Sequence, residues 1–126
     1  MGVTYDTGAL IAAERDDHRM GALHSGFIQG DEVLVVPAPV LAEAWRGGPR
    51  QALLVRLLAS CEVEPMTEEQ ARAVGELAGM AGHADVVDVT VVEGAIRRGD
   101  SVVTSDPAHI QRIAGAAGGR LVIDAV

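Results

Sequence analysis

Strand-length and helix-length segments alternate along most of this chain, and that alternation restricts the fold more than any other feature. Val33-Leu34-Val35-Val36 is an unbroken apolar run, the pattern of a strand covered on both faces. Val3-Thr4-Tyr5, Cys61 to Glu64, Ser101 to Thr104 and Leu121 to Ile123 read as further short strands. Between them lie helical patterns. One begins at Ala9 and a second at Asp16 or Asp17, the latter carrying Met20, Leu23 and Phe27 as a stripe that stops at Gly30. A third starts near Pro39 with Val40, Leu41, Ala44 and Trp45, and a fourth runs from Gln51 to Ser60 with Leu53, Leu54, Leu57 and Leu58 as its apolar stripe. Thr67 and Gln70 match a capping box for a helix reaching about Met80. A helix of about four turns follows from Asp85 to Arg97-Arg98-Gly99, and a short one from Pro107 to Ala114. The expected architecture is a three-layer α/β/α sandwich around a mainly parallel sheet of four to five strands. With 126 residues, no linker and no repeat, residues 1–126 are expected to be one domain.

Composition narrows the chemistry. The core is aliphatic, since Trp, Tyr and Phe occur once each, which argues against stacking platforms for single-stranded nucleic acid. Acidic residues number 18 against 10 basic ones, for a net charge of −8, and every basic residue is Arg. Mechanisms that need a lysine are excluded, and the net charge argues against loose RNA binding through many neutralised phosphates. Cys61 is the only cysteine, so neither an intrachain disulfide nor a thiolate-rich zinc site is available. His18, His24, His83 and His109 are scattered without zinc-ligand spacing and default to surface or core positions, although His83 adjoins Asp85. The opening residues read as a strand rather than a leader, and the apolar run Val33 to Ala42 is short and broken by Pro37 and Pro39. A cytoplasmic protein without a membrane span is expected.

The chemistry-bearing feature is a set of acids in particular settings. Asp85 and Asp88 are three apart, on one face of the first turn of a helix, and Asp106 lies just beyond a strand's C-terminal end. Asp6 follows the first strand in the same way, and Glu43 sits within an early helix. In an open parallel sheet, ligands bind in the crevice beyond the strand ends. Each acid alone has a plainer explanation: Asp6, Asp85 and Asp106 as helix N-caps, Glu43 as a solvated helix residue. Together they would form a ring of carboxylates without a basic partner, a setting for a hard divalent cation such as Mg²⁺ or Mn²⁺. A pair of such ions about 4 Å apart supports in-line phosphodiester cleavage.

The ordered set Asp6-Thr7-Gly8-Ala9-Leu10, Leu41-Ala42-Glu43-Ala44-Trp45, Val86-Val87-Asp88-Val89 and Val103-Thr104-Ser105-Asp106-Pro107 resembles the PIN-domain nucleases, most closely the toxin ribonucleases of bacterial VapBC-type toxin–antitoxin pairs. The resemblance covers nearly the whole chain. It implies a PIN-like fold and a metal-dependent endoribonuclease, with Asp6, Glu43, Asp88 and Asp106 as catalytic metal-holding acids and Asp85 in support. Gly8 stands where Ser is common and Val89 where Ala is common. The products implied are 5′-phosphate and 3′-hydroxyl ends. The partners implied are an RNA substrate, a homodimer mate and an antitoxin that inserts an arm into the acidic cleft. Arg46 and Arg50 are the preferred phosphate contacts. Arg97 and Arg98 read equally well as charges at a helix C-terminus, and Arg112 is a further candidate.

Other functions remain open at this point. A PIN nuclease that processes RNA without an antitoxin would carry the same acids, and so would a non-catalytic metal-binding module. A response-regulator receiver would need a lysine near the last acidic strand and paired acids at the first. A haloacid-dehalogenase-type phosphatase would need Asp-x-Asp where this chain has Asp6-Thr7-Gly8.

Overall fold

The structure is a computed structural model that describes residues 1–82 and 85–126. His83, noted above for its place beside Asp85, lies outside the described residues. Five strands form one wholly parallel sheet: β1 (Gly2–Tyr5), β2 (Val33–Pro37), β3 (Glu62–Glu64), β4 (Ser101–Thr104) and β5 (Ile123–Ala125), in the order β3-β2-β1-β4-β5. Among the described residues seven α-helices flank it. These are α1 (Thr7–Glu14), α2 (His18–Gln29), α3 (Ala38–Ala44), α4 (Ala52–Leu58), α5 (Glu68–Met80), α6 (Val86–Arg98) and α7 (Pro107–Ala116). A 3₁₀ turn, Pro49–Gln51, precedes α4. The chain first moves outward from β1 through β2 to β3, then crosses back and moves outward again from β4 to β5. Right-handed crossovers therefore put α1–α4 and α5–α7 in separate layers. The point of reversal lies between β1 and β4.

The core is aliphatic as expected. Tyr5, Leu10, Met20, Val36, Val40, Leu54, Val91 and Ile110 are buried in one continuous cluster. The helix α6 is enclosed on most sides, with Val89 to Val92, Gly94 and Ala95 all buried. Asp85 caps it by accepting hydrogen bonds from the amides of Val87 at 2.8 Å and Asp88 at 3.3 Å. Gly99 ends it at φ 73°, a left-handed conformation that a side chain would strain.

Several boundaries differ from the expectation for local reasons. Val33 pairs with Gly2 at the strand's entry and stays exposed, so only Leu34 to Pro37 are covered on both faces. The last strand begins at Ile123 rather than Leu121, because Leu121 is held by the Gln111 side chain and Val122 accepts from the Val102 amide as the chain enters the sheet. Gly115 lies inside α7, which continues to Ala116. The Thr67 hydroxyl does accept from the Gln70 amide at 3.1 Å, but the Gln70 side chain donates to Glu64 instead of returning to the cap. The helix expected over Gln51 to Ser60 splits into the 3₁₀ turn and α4, with Leu54 and Leu57 as its buried members.

A polar network ties α6 to the sheet. Arg98 donates to Asp100 at 2.9 Å, to Glu64 at 2.7 Å and to the Thr4 hydroxyl at 2.9 Å, while Thr4 donates to Asp100 at 2.8 Å. Burial raises the Glu64 carboxyl, but hydrogen bonds and charge from Arg97 and Arg98 outweigh it and hold the group below its ordinary value. Arg97 shares Glu64 and Glu93 from a half-exposed position. Breaking a buried pair strands its partner's charge, whereas exposed pairs add little. Arg98→Met is therefore expected to destabilise the protein by about 3 kcal/mol and Arg97→Met by under about 1 kcal/mol, as measured by urea unfolding.

Candidate functional site

The reversal of strand order brings two of the predicted acids together directly. Asp6 follows β1, and its amide donates to the Val103 carbonyl of β4 at 3.1 Å, continuing the parallel register of Tyr5 with Val103. Asp106 follows β4 two residues after Thr104, whose hydroxyl accepts from the Asp106 amide at 2.9 Å. Both acids are helix N-caps. Asp6 Oδ1 accepts from the Ala9 amide at 2.9 Å, and Asp106 Oδ1 from the His109 amide at 3.4 Å. The plainer reading of each residue is thus correct as far as it goes. Capping engages Oδ1 in each case.

Asp88 enters from the first turn of α6, half-buried, and Asp85 caps the same helix from an exposed position. Glu43 is exposed on α3. Electrostatics records their convergence. Burial pushes the Asp88 carboxyl above its ordinary value, and the charges of Asp85, Glu43 and Asp106 push it further, while His109 pulls it down. The Asp6 carboxyl is raised chiefly by burial, opposed by Thr104 and the Ala9 and Gly8 amides, with Asp88 adding to the rise. Asp85, Glu43 and Asp106 therefore lie near enough to Asp88 to shift it, and Asp88 near enough to Asp6, at the C-terminal edge of the sheet.

That crevice suits a hard divalent cation. The donors are carboxylate oxygens, and among the described residues the only ion pair made by any of the five acids is Asp88 with His109. No three of the described side chains close into a ready-made ligand cage. The Thr7 hydroxyl, next to Asp6, is shielded from solvent without a partner among the described residues.

Three features were not legible in the sequence. His109 Nε2 lies 3.2 Å from Asp88 Oδ2, a pairing between α7 and α6 that no local spacing announces. Gly8 is required by packing, since a Cβ there would sit 2.0 Å from Ser105 Oγ and 2.7 Å from Ser105 Cβ. The Ser common at this position elsewhere would thus not fit without moving the residue before Asp106. Beside Gly8 and Ser105 opens a groove of about 460 Å³ whose rim includes Arg15, a cation the sequence reading passed over. Arg46 and Arg50 are both exposed, and the Arg46 guanidinium donates to the Trp45 carbonyl at 2.7 Å. Arg97 and Arg98 are engaged in ion pairs away from the acids.

A PIN-domain family profile matches residues 3–116. The chain belongs to the PIN-domain family. No curated protein matches it by sequence. Among solved structures it is similar to VapBC2 from Rickettsia felis bound to a promoter DNA fragment, with a TM-score of 0.78 and 16% identity, covering 100% of this chain and 99% of that one. It is also similar to FitAB bound to the IR36 DNA fragment, with a TM-score of 0.65 and 18% identity over 96% and 94% of the two chains. PAE2754 from Pyrobaculum aerophilum matches with a TM-score of 0.65 and 18% identity over 98% and 89%. As a PIN domain the chain has the fold of a family whose members are generally nucleases and generally bind divalent metals.

Carboxyls raised in the folded state bind protons that the unfolded chain releases, so their contribution to stability falls as pH rises from the ordinary carboxylate range through the raised values. In chelator, the Tm of the wild type is expected to fall relative to Asp88→Asn as pH rises above the ordinary carboxylate range, and Asp88→Asn should be the more stable protein at neutral pH. Gly8→Ala, which drives a methyl into Ser105, should lower stability by about 1–3 kcal/mol in thermal melts.

Proposed function

We propose that this PIN domain is a Mg²⁺- or Mn²⁺-dependent endoribonuclease and the toxin of a type II toxin–antitoxin pair. What supports the reading is that Asp6 and Asp106 flank the strand-order reversal and that Asp6 and Asp88 are both raised by burial and by neighbouring carboxylates, Glu43 and Asp106 among those acting on Asp88. Carboxylates held together against their repulsion cost stability and are retained where a cation neutralises them. Asp6, Glu43, Asp88 and Asp106 would hold the ion, with Asp85 in support. When bound, it polarises a phosphodiester oxygen and lowers the pKa of its water.

The chain's own residues set how this works. Asp6 is buried and clamped by the Ala9 amide, so it forms the fixed floor of the site. Glu43, Asp85 and Asp106 are exposed and line the open side, from which an RNA strand approaches. Without a cation the crevice repels phosphate, which makes substrate binding conditional on the ion. Arg46, Arg50 and Arg15 are the exposed cations assigned to flanking phosphates. With a net charge of −8, recognition is local rather than spread along the RNA.

The toxin assignment is supported by the folds of VapBC2 and FitAB, whose structures are named as complexes bound to DNA. An acidic crevice is also a natural receptor for an arginine carried on an antitoxin's arm. A homodimer is part of the same reading, and the apolar surface formed by Leu41, Trp45, Leu58 and Val63 is available for it. Among the described residues no helix is long and apolar enough to cross a membrane.

The pure protein is expected to cut RNA only with Mg²⁺ or Mn²⁺, and either ion should raise its Tm. Asp6→Asn and Asp106→Asn should each lower cleavage by about a hundredfold or more and remove the metal-induced rise. Full metal-dependent cleavage by either variant would take that residue out of the site. Co-purification from the native operon without a small companion protein would favour an RNA-processing nuclease that has no antitoxin.

A further inference from the structure

Tyr5 is fully buried, and the one hydrogen bond its hydroxyl makes among the described residues runs to Nδ1 of His24 on α2, at 2.8 Å. Burial, and after it the nearby Cys61 thiol, raise the phenol above its ordinary value, so it keeps its proton and has to donate it. On the other edge of the ring, Nε2 lies 3.1 Å from Ser60 Oγ, whose own proton goes to the Leu57 carbonyl in α4 at 2.8 Å. Both contacts require the same tautomer: Nε2 donates to Ser60 and Nδ1 accepts from Tyr5. One neutral imidazole thus fastens α2 to β1 and to the turn after α4. Beside it a cleft of about 260 Å³ is lined by Met20, Leu53 and Leu57, with Asp16, Asp17 and Arg56 in its wall.

We propose that His24 is an acid-sensitive latch: neutral, it holds α2 against β1 and α4, and on taking a proton from solvent at Nδ1 it releases α2 and opens the cleft beside it. The proton removes the acceptor that Tyr5 uses. The phenol is then a buried donor without an acceptor, with a cation set against it. No described neighbour offsets that cost. Asp16 and Asp17, in the turn before α2, make no ion pair with His24 among the described residues, and Asp17 is engaged in capping the Met20 amide at 2.9 Å. Arg56 on α4 offers an imidazolium no partner, and Ser60 already donates to Leu57. Burial lowers the His24 ring below its ordinary value of 6.5. A histidine lowered by folding supports the fold fully above that ordinary value, and its contribution is lost as pH falls below it.

The test uses the whole chain, with long-range nitrogen–proton NMR to read the His24 tautomer and amide hydrogen exchange to read α2 between about pH 7.5 and pH 5. Exchange is compared as protection, corrected for its intrinsic pH dependence. The wild type is expected to show the Nε2–H tautomer at the upper pH, and its α2 amides should lose about tenfold or more in protection at the lower pH while those of α6 lose none. His24→Gln has an amide that accepts and donates but does not titrate. In this variant α2 protection should stay level, although the exposed His18 remains on the same helix. Tyr5→Phe has no hydroxyl to strand, so it should raise the His24 titration toward the ordinary value and shrink the acid effect. An Nδ1–H tautomer, wild-type α2 protection that does not change with pH, an equal loss in α6, or an acid loss that persists in His24→Gln would each overturn the latch. None of these outcomes bears on the acids at the β1–β4 pair.

Discussion

The parallel pairing of β1 with β4 is the constraint on which the rest depends. These strands are far apart in sequence, yet Val3, Thr4 and Tyr5 lie in register with Ser101, Val102 and Val103. One more step along each strand carries the backbone out of the sheet at Asp6 and, after Ser105, at Asp106. The sheet reverses its order at this pair, so no crossover helix covers the strand ends and a crevice is left open there. A one-residue slip would turn Tyr5 to the opposite helix layer, where Thr4 now packs, and move Asp6 away from Thr104, so the core that fixes the register also fixes the acids.

Around this pairing, attractive and repulsive electrostatics are kept apart. On one side Arg97 and Arg98 gather Glu64, Glu93 and Asp100 into ion pairs that join α6 to β3 and the entry to β4, and Arg98 hydrogen-bonds Thr4 of β1. On the other, burial raises both Asp6 and Asp88, with Asp88 adding to the rise of Asp6 and Asp85, Glu43 and Asp106 adding to that of Asp88. The second arrangement opposes folding and the first supports it, a division expected where a site is kept at the expense of local stability. The same helix, α6, serves both: its first turn presents Asp88 and its last presents Arg98.

Much of this was legible in the chain because it is local. Strands of unbroken apolar residues, Pro39 in a first helical turn, Gly99 after Arg97-Arg98, and Asp85 as a cap all follow from near neighbours in sequence. The grouping of the acids came from their order and settings, together with the resemblance to PIN nucleases. What was not legible depends on contacts between distant segments. Arg98 has the signature of a helix-end charge, and its buried partners come from three separate places in the chain. His109 has no periodic relation to Asp88, so a lone histidine on a short helix gave no sign of facing it. Gly8 gains its meaning from Ser105, almost a full chain length away.

The central claim is that the acids flanking the β1–β4 pair hold a divalent cation in common. Anomalous scattering from crystals soaked in Mn²⁺ tests it most directly. The account predicts a peak in the crevice within direct or single-water reach of both Asp6 and Asp88, on the side facing Asp106. A peak confined to other carboxylates, or none at these acids when Mn²⁺ is ordered elsewhere in the same crystal, would contradict it.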